Sequence, residues 1–180
     1  MAELSWNETR GAEQKRWLVL YTRPRYEKKI HRRLQDLSVT SFLPLREELR
    51  QWSDRRKRVL VPLFSGYLFV FANERERIAA LEVEGAMRYV SFGGKLAEVS
   101  EETIESLKIA ATRPADIRVE ETDLRLGQKV TVRHGPLAGM RGYLVEFRGS
   151  TRVAIRIEAI EKTVSVEVPL ADLEHVKTAL

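Results

Sequence analysis

The spacing of apolar residues changes beyond the middle of this chain, and that change constrains the fold more than any other feature. Before residue 112, apolar runs alternate with segments in which apolar residues recur every three or four positions. This pattern predicts strands alternating with helices. After residue 123, apolar and polar residues alternate in short runs separated by glycines, which predicts strands only. The chain is therefore predicted to contain two domains of different class.

The predicted boundaries follow from this change and from composition. Residues 1–15 are polar and are predicted to be a flexible N-terminus. Residues 16–111 form an α+β domain with an antiparallel sheet flanked by helices. Residues 112–123 carry Pro and charge with little periodic apolar content, so they are predicted to be a linker. Residues 124–180 predict about five short strands in a small closed barrel.

Several local signals place the elements of the α+β domain. Trp17–Tyr21 reads as a buried first strand, and Pro24 is expected to open a helix. Asn73 and Glu76 have the spacing of a capping box at the start of another helix. Residues 46–58 are rich in charge, with a turn-favouring centre, and predict a long charged hairpin.

Positive charge is concentrated in one quarter of the chain. Residues 15–58 contain 14 Lys and Arg against five Asp and Glu, whereas the whole chain has a net charge of only +5. Such a field can attract a polyanion and would make its binding salt-dependent. The alternative is a basic surface that is simply solvated.

The most apolar stretch is Leu63–Phe71, which directly follows the basic run Arg55–Arg58. A strand so rich in aromatic residues can bury one face and offer the other to a partner. It can equally be core on both faces, because periodicity alone does not separate the two.

Other classes of function find little support in the sequence. The chain has no Cys and only three widely separated His, so neither a thiolate site nor a metal-binding cluster is predicted. No apolar run approaches the roughly 20 residues of a membrane helix. From composition we therefore expect a cytoplasmic, monomeric protein without cofactor, metal or enzymatic activity.

Both halves of the chain resemble one family. Trp17 with Tyr21, the basic first helix and Pro62–Val70 are similar to the amino-terminal (NGN) domain of NusG. Gly127–Gly142 resembles a KOW motif, which implies an SH3-like barrel. The resemblance runs from about Arg16 to Val176. Within the family, Leu20–Lys29 and Leu49–Arg55 look most like the UpxY-type paralogues, relatives of RfaH.

The resemblance implies that the first domain docks on the clamp helices of RNA polymerase. The positions matching the apolar depression that receives the helix tip are Tyr21, Phe64, Tyr67, Phe69 and Phe92. Because residues alternate along a strand, these side chains cannot all face the depression equally. Tyr21 and Tyr67 are the favoured contacts, since a Tyr hydroxyl prefers a wet rim.

A second implied partner is the non-template single-stranded DNA of the transcription bubble. The matching basic residues lie in the first helix and the loop before it: Arg23, Arg25, Lys28, Lys29, Arg32 and Arg33. In the hairpin, Arg55 and Arg56 would add charge, and Trp52 could stack on a base or pack on its own domain.

The KOW domain of the family recruits a ribosomal protein or Rho, and the matching surface lies around Phe147 and Ile160. The alternating Val and Ile of this region favour a constitutive barrel. Taken together, the resemblance implies a transcription elongation and antitermination factor acting at long polysaccharide-biosynthesis operons. Two alternatives stay open: a general NusG-like elongation factor, and a ribosome- or RNA-binding KOW protein.

Overall fold

The computed structural model describes residues 14–51, 56–120, 125–147 and 149–176, without the side chain of Phe147. The chain has a mixed fold of helices and antiparallel sheets and divides into two compact units. The first comprises Met1–Leu43 and Phe64–Val99, and the second comprises Pro44–Leu63 and Ser100–Leu180. Within the described residues, no helix has the length and apolar character needed to cross a membrane. The domain boundaries predicted from sequence stay a prediction.

The first unit is built on a sheet whose strands are β1 (Arg16–Thr22), β2 (Thr40–Phe42), β5 (Tyr67–Ala72), β6 (Ala86–Tyr89) and β9 (Glu98–Val99). The order across the sheet is β2-β5-β1-β6, with β9 also paired to β1. The apolar runs of β1 and β5 form its centre, because each of these two strands has a neighbour on both sides. Leu18, Leu20, Leu68 and Val70 are fully buried or nearly so.

Helix α1 (Glu27–Asp36) packs against β2 and β5 through Ile30 and Leu34, which have no exposed surface. The prediction that Pro24 opens this helix is wrong. Pro24 and Arg25 form a turn instead, in which the Tyr26 amide donates to the Arg23 carbonyl at 3.1 Å. Arg25 adopts φ 71°, a left-handed conformation that interrupts the helix, so α1 begins at Glu27.

Helix α2 (Glu74–Leu81) confirms the predicted capping box. The Asn73 side chain accepts a hydrogen bond from the Glu76 amide, and the Glu76 carboxylate accepts one from the Asn73 amide.

Between β6 and β9 the chain makes a small hairpin of β7 (Ser91–Phe92) and β8 (Lys95–Leu96). Gly93 and Gly94 turn it with φ of 54° and 78°, as the Gly-Gly pair predicts.

A two-stranded ribbon, β3 (Leu45–Gln51) paired with β4 (Arg56–Pro62), belongs to the second unit. At its base the Leu63 amide donates to the Pro44 carbonyl at 2.8 Å, so the two ends of the ribbon are held together. The ribbon confirms the predicted charged hairpin, whose tip lies outside the described residues.

The second unit also contains an antiparallel sheet, whose strands are β10 (Arg118–Glu120), β11 (Lys129–Val132), β12 (Arg141–Phe147), β13 (Ser150–Ile157), β14 (Lys162–Glu167) and β15 (Leu173–His175). The order across the sheet is β10-β14-β13-β12-β11-β15. Alternating Val and Ile make its core, as the period of two predicts. β10 lies inside the segment predicted as linker, and it pairs with β14.

Helix α3 (Glu101–Ala111) packs against β12 and β13 in the same unit. Its Glu102 carboxylate lies 2.5 Å from the Lys129 ammonium and 3.0 Å from the Arg141 guanidinium. These two cations lower the pKa of Glu102.

The buried Arg152 links three strands, because it donates to the Ser165 hydroxyl at 2.7 Å and lies 3.9 Å from Glu120.

Candidate functional site

An aromatic face lies on the side of the first sheet opposite α1. In the antiparallel register of β1 and β5, Trp17 faces Phe71, Val19 faces Phe69, and Tyr21 faces Tyr67. Residues directly opposite each other share a face of the sheet. The intervening residues of both strands therefore point to the other face, where α1 and α2 pack.

Tyr21 and Tyr67 form the accessible end of this aromatic face. Both side chains are half-buried, and their ring centroids lie 5.4 Å apart with a tilt of 56°. Gly66 sits against them: a Cβ at this position would lie 3.3 Å from Tyr21 Cε2. The pair thus presents ring surface and hydroxyl groups together, a combination typical of partly wet contact sites.

Two other predicted contacts are core residues. Phe69 is 0% exposed and Phe64 is 4% exposed, and their rings meet edge to face at 6.1 Å. In this conformation neither side chain has a surface that a partner could reach. The interpretation of Leu63–Phe71 as core therefore holds for these two rings.

Phe92, the fifth predicted contact, is 57% exposed on the β7–β8 hairpin. Its neighbour across the hairpin is Lys95. Among the described residues, the structure gives Phe92 no ring contact with Tyr21 or Tyr67. It is an exposed apolar residue on a short hairpin, and its part in the same site stays a prediction.

The predicted basic residues of the first unit are all exposed. They lie in the loop after β1 and on α1: Arg23, Arg25, Lys28, Lys29, Arg32 and Arg33. On α1, Arg32 follows Lys28 and Arg33 follows Lys29 by four positions, so the helix carries two short cationic rows.

Some of this charge is paired within the unit. Lys29 Nζ lies 2.7 Å from the Glu84 carboxylate, and this contact raises the pKa of Lys29 and lowers that of Glu84. Arg33 lies 3.7 Å from Asp36. Exposed pairs of this kind are weak and exchange readily with other anions. Within the described part of the chain, Arg25 and Arg32 have no ion pair, so the surface keeps cations available to a phosphate.

The other predicted residues lie in the second unit. Arg56 is exposed on β4, whereas Trp52 and Arg55 fall outside the described residues. Phe147 lies in β12, but its side chain is outside the description. Ile160 is only 8% exposed in a short 3-10 turn before β14, so the expectation that it forms an exposed partner contact is not met. Its apolar side chain belongs to the core of the second sheet.

One residue of the aromatic face was not predicted from the sequence. The Arg88 guanidinium carbon lies 5.6 Å from the centroid of the Tyr21 ring, within the range of a cation–π contact. Arg88 stands opposite Tyr21 in the β1–β6 register. No local sequence pattern predicts this contact, because it depends on the register between two strands that lie far apart in the sequence.

Comparison with known proteins identifies the class to which this fold and surface belong. The family model described as transcription termination factor nusG matches residues 15–108. The chain therefore belongs to the NusG family of transcription factors.

One solved structure agrees with this fold. A structure entitled "Domain interaction in Thermotoga maritima NusG" has 22% sequence identity and a TM-score of 0.52, covering 93% of this chain and 100% of that chain. A crystal structure of the MjSpt4:Spt5 complex, conformation A, has 13% identity and a TM-score of 0.29, covering 91% of this chain and 99% of that one. The second likeness is too weak to bear on the fold. A search of curated proteins gave no match.

Proposed function

We propose that this NusG-family protein is a transcription elongation and antitermination factor that docks on RNA polymerase and contacts the non-template DNA strand. The observation that carries the proposal is the adjacency of two surfaces at the end of β1. The half-exposed Tyr21 and Tyr67 pair ends the aromatic face, and the basic loop begins two residues after Tyr21, at Arg23. One end of the sheet thus offers an apolar contact beside a phosphate-attracting segment.

The two contacts have different physical roles. A helix tip of the polymerase clamp would seat on the tyrosine rings, where aromatic anchors supply most of the binding free energy. The cations of the loop and of α1 would hold the backbone of a single strand through charge, with a strong dependence on salt. The factor would act by binding the processive state of the polymerase more tightly than the paused state, without chemistry of its own.

The docking contact is tested by binding of the full chain to purified RNA polymerase. Tyr21→Ala and Tyr67→Ala should each weaken binding about thirtyfold or more, because truncating an aromatic anchor typically costs at least about 2 kcal/mol. Tyr143→Ala is the matched control, since Tyr143 is also half-buried but lies on β12 of the second unit. Unchanged binding of both tyrosine variants would remove this surface from the proposal.

We also propose the specialised role and the second domain implied by the resemblance. The segments Leu20–Lys29 and Leu49–Arg55 support a UpxY- or RfaH-type factor at long polysaccharide-biosynthesis operons rather than a general one. The alternating strands of the second sheet support a KOW barrel that recruits a further protein. Mapping the protein along transcribed genes tests the first point: occupancy restricted to a few long operons is expected, and uniform occupancy would favour a general factor.

A further inference from the structure

Arg88 extends the tyrosine pair into a row of three side chains across three neighbouring strands. Arg88 on β6 stands opposite Tyr21 on β1, which in turn stands opposite Tyr67 on β5. The three residues share one face of the sheet, because directly paired residues point the same way. The guanidinium lies over the Tyr21 ring, at 5.6 Å from its centroid.

The Arg88 side chain is exposed and, among the described residues, has no carboxylate within ion-pair distance. Arg77 and Lys29 differ in this respect, since Glu74 and Glu84 respectively hold them. The contact that orients Arg88 is thus an aromatic ring, which leaves its hydrogen-bond donors unused. A guanidinium held over a ring keeps its planar fork available to a carboxylate and loses less side-chain entropy on binding.

We propose that Arg88 is a binding residue of the docking surface and pairs with a carboxylate of the partner. The partner segment is a helix end that seats an apolar residue on Tyr21 and Tyr67 and carries an Asp or Glu beside it. Charge complementarity selects this occupant, because a lysine or arginine at the same place would meet the unpaired Arg88 cation. This inference rests on the proposed function and adds the chemistry of the partner's contact.

The test is titration of purified RNA polymerase with the full chain at several salt concentrations. Arg88→Ala should weaken binding about tenfold to a hundredfold, as expected for the loss of hydrogen bonds to a charged group. Arg88→Lys keeps the charge without the fork and should bind with intermediate affinity. Arg88→Glu should bind most weakly, because it sets two carboxylates against each other. The dependence of affinity on salt should decrease in Arg88→Ala.

Arg75→Glu is the matched control, because Arg75 is an exposed arginine of the same unit, on α2, and the substitution changes the net charge equally. Arg75→Glu should bind RNA polymerase within about twofold of the unmodified chain, because the substitution changes the net charge without changing a residue of the docking surface. An equal loss in Arg75→Glu and Arg88→Glu would overturn the proposal, since it would show an effect of net charge rather than of position.

The tyrosine variants separate this inference from the proposed function. If Tyr21→Ala and Tyr67→Ala lose binding while Arg88→Ala and Arg88→Lys bind normally at every salt concentration, the role of Arg88 is overturned and the docking surface stands. If all four bind normally, the docking surface itself fails. Circular dichroism melts of each variant check folding, and Arg88→Lys, the most conservative change, decides the result if Arg88→Glu does not fold.

Discussion

The Glu27 carboxylate accepts a hydrogen bond from the Gly66 amide at 2.7 Å, across 39 residues of sequence. Glu27 is 2% exposed in the first turn of α1, and Gly66 directly precedes β5. The carbonyl oxygen of the same glycine accepts a hydrogen bond from the Thr22 amide at 2.8 Å. The loop that presents Tyr67 is therefore fixed both to the helix and to the end of β1.

The first prediction concerns this buried bond. Glu27→Ala should lower the free energy of unfolding by about 1–3 kcal/mol, because the buried Gly66 amide would lose its acceptor. Glu27→Gln keeps an acceptor oxygen and should cost less. Urea denaturation of both variants measures the difference. Equal stability of Glu27→Ala and the unmodified chain would mean that water replaces the carboxylate without cost.

The second prediction separates core rings from surface rings. Phe69→Ala should lower the free energy of unfolding by about 3–5 kcal/mol, since it leaves a cavity beneath the sheet surface. Tyr67→Ala should cost clearly less, because its ring is half-exposed. Chemical denaturation compares the two. A larger loss for Tyr67→Ala would show that Tyr67, too, mainly supports the core.

The third prediction compares two glycines that both have positive φ. At Gly85, with φ 94°, a Cβ would collide with the Tyr26 ring, whereas at Gly93, with φ 54°, it would meet no atom within 4 Å. Gly93→Ala should therefore cost about 1–2 kcal/mol for the backbone alone. Gly85→Ala should cost more than this and should shift the start of α1. Thermal melts of the two variants test this order, and a reversed order would contradict the packing of Tyr26.

The fourth prediction is a dependence of stability on pH through His31. Burial lowers the pKa of His31 below its ordinary 6.5, and its Nδ1 lies 2.8 Å from the Ser41 hydroxyl. The unfolded chain therefore binds this proton at a higher pH than the folded chain does. The stability contributed by neutral His31 is present above pH 6.5 and is lost as the pH falls toward the folded pKa.

Titration of His31 by NMR should accordingly give a midpoint below 6.5 in the folded protein. His31→Gln should make the free energy of unfolding less dependent on pH in the same interval. A midpoint at or above the ordinary value would contradict the half-buried placement of this ring, which contacts Ser41 of β2.

The fifth prediction tests the basic helix. Arg32→Glu should weaken binding of single-stranded DNA by several-fold at low salt and reduce the salt dependence, because one phosphate contact becomes repulsive. Arg75→Glu serves again as the control on α2. Fluorescence anisotropy with a labelled single strand measures both. Equal losses would show attraction by net charge alone, and unchanged binding of Arg32→Glu would remove that residue from the DNA contact.

Much of the first unit could be predicted because its signals are local. The apolar runs of β1 and β5, the capping pair Asn73 and Glu76, and the Gly-Gly turn at Gly93 each act over a few residues. The start of α1 could not, because a single left-handed residue, Arg25, outweighed the usual preference for Pro in a first turn.

The candidate site could be predicted only in part from the sequence, for a different reason. Alternation assigns Tyr67 and Phe69 to one face, but it does not say which of them is covered. The same limit applies to Ile160, which the family resemblance suggested as exposed and which is buried. Arg88 could not be found at all, because its contact with Tyr21 arises from strand register.

The hydrogen bond between Leu63 and Pro44 affects how the length of the β3–β4 ribbon can vary. Since this bond fastens the base of the ribbon, residues added in pairs between Gln51 and Arg56 would lengthen it by about 3.4 Å per pair without disturbing its anchorage. The length of the ribbon can then vary independently of the way its base is attached. Proteins built on the same plan can therefore differ in ribbon length while the attachment of the ribbon at Pro44 and Leu63 stays the same.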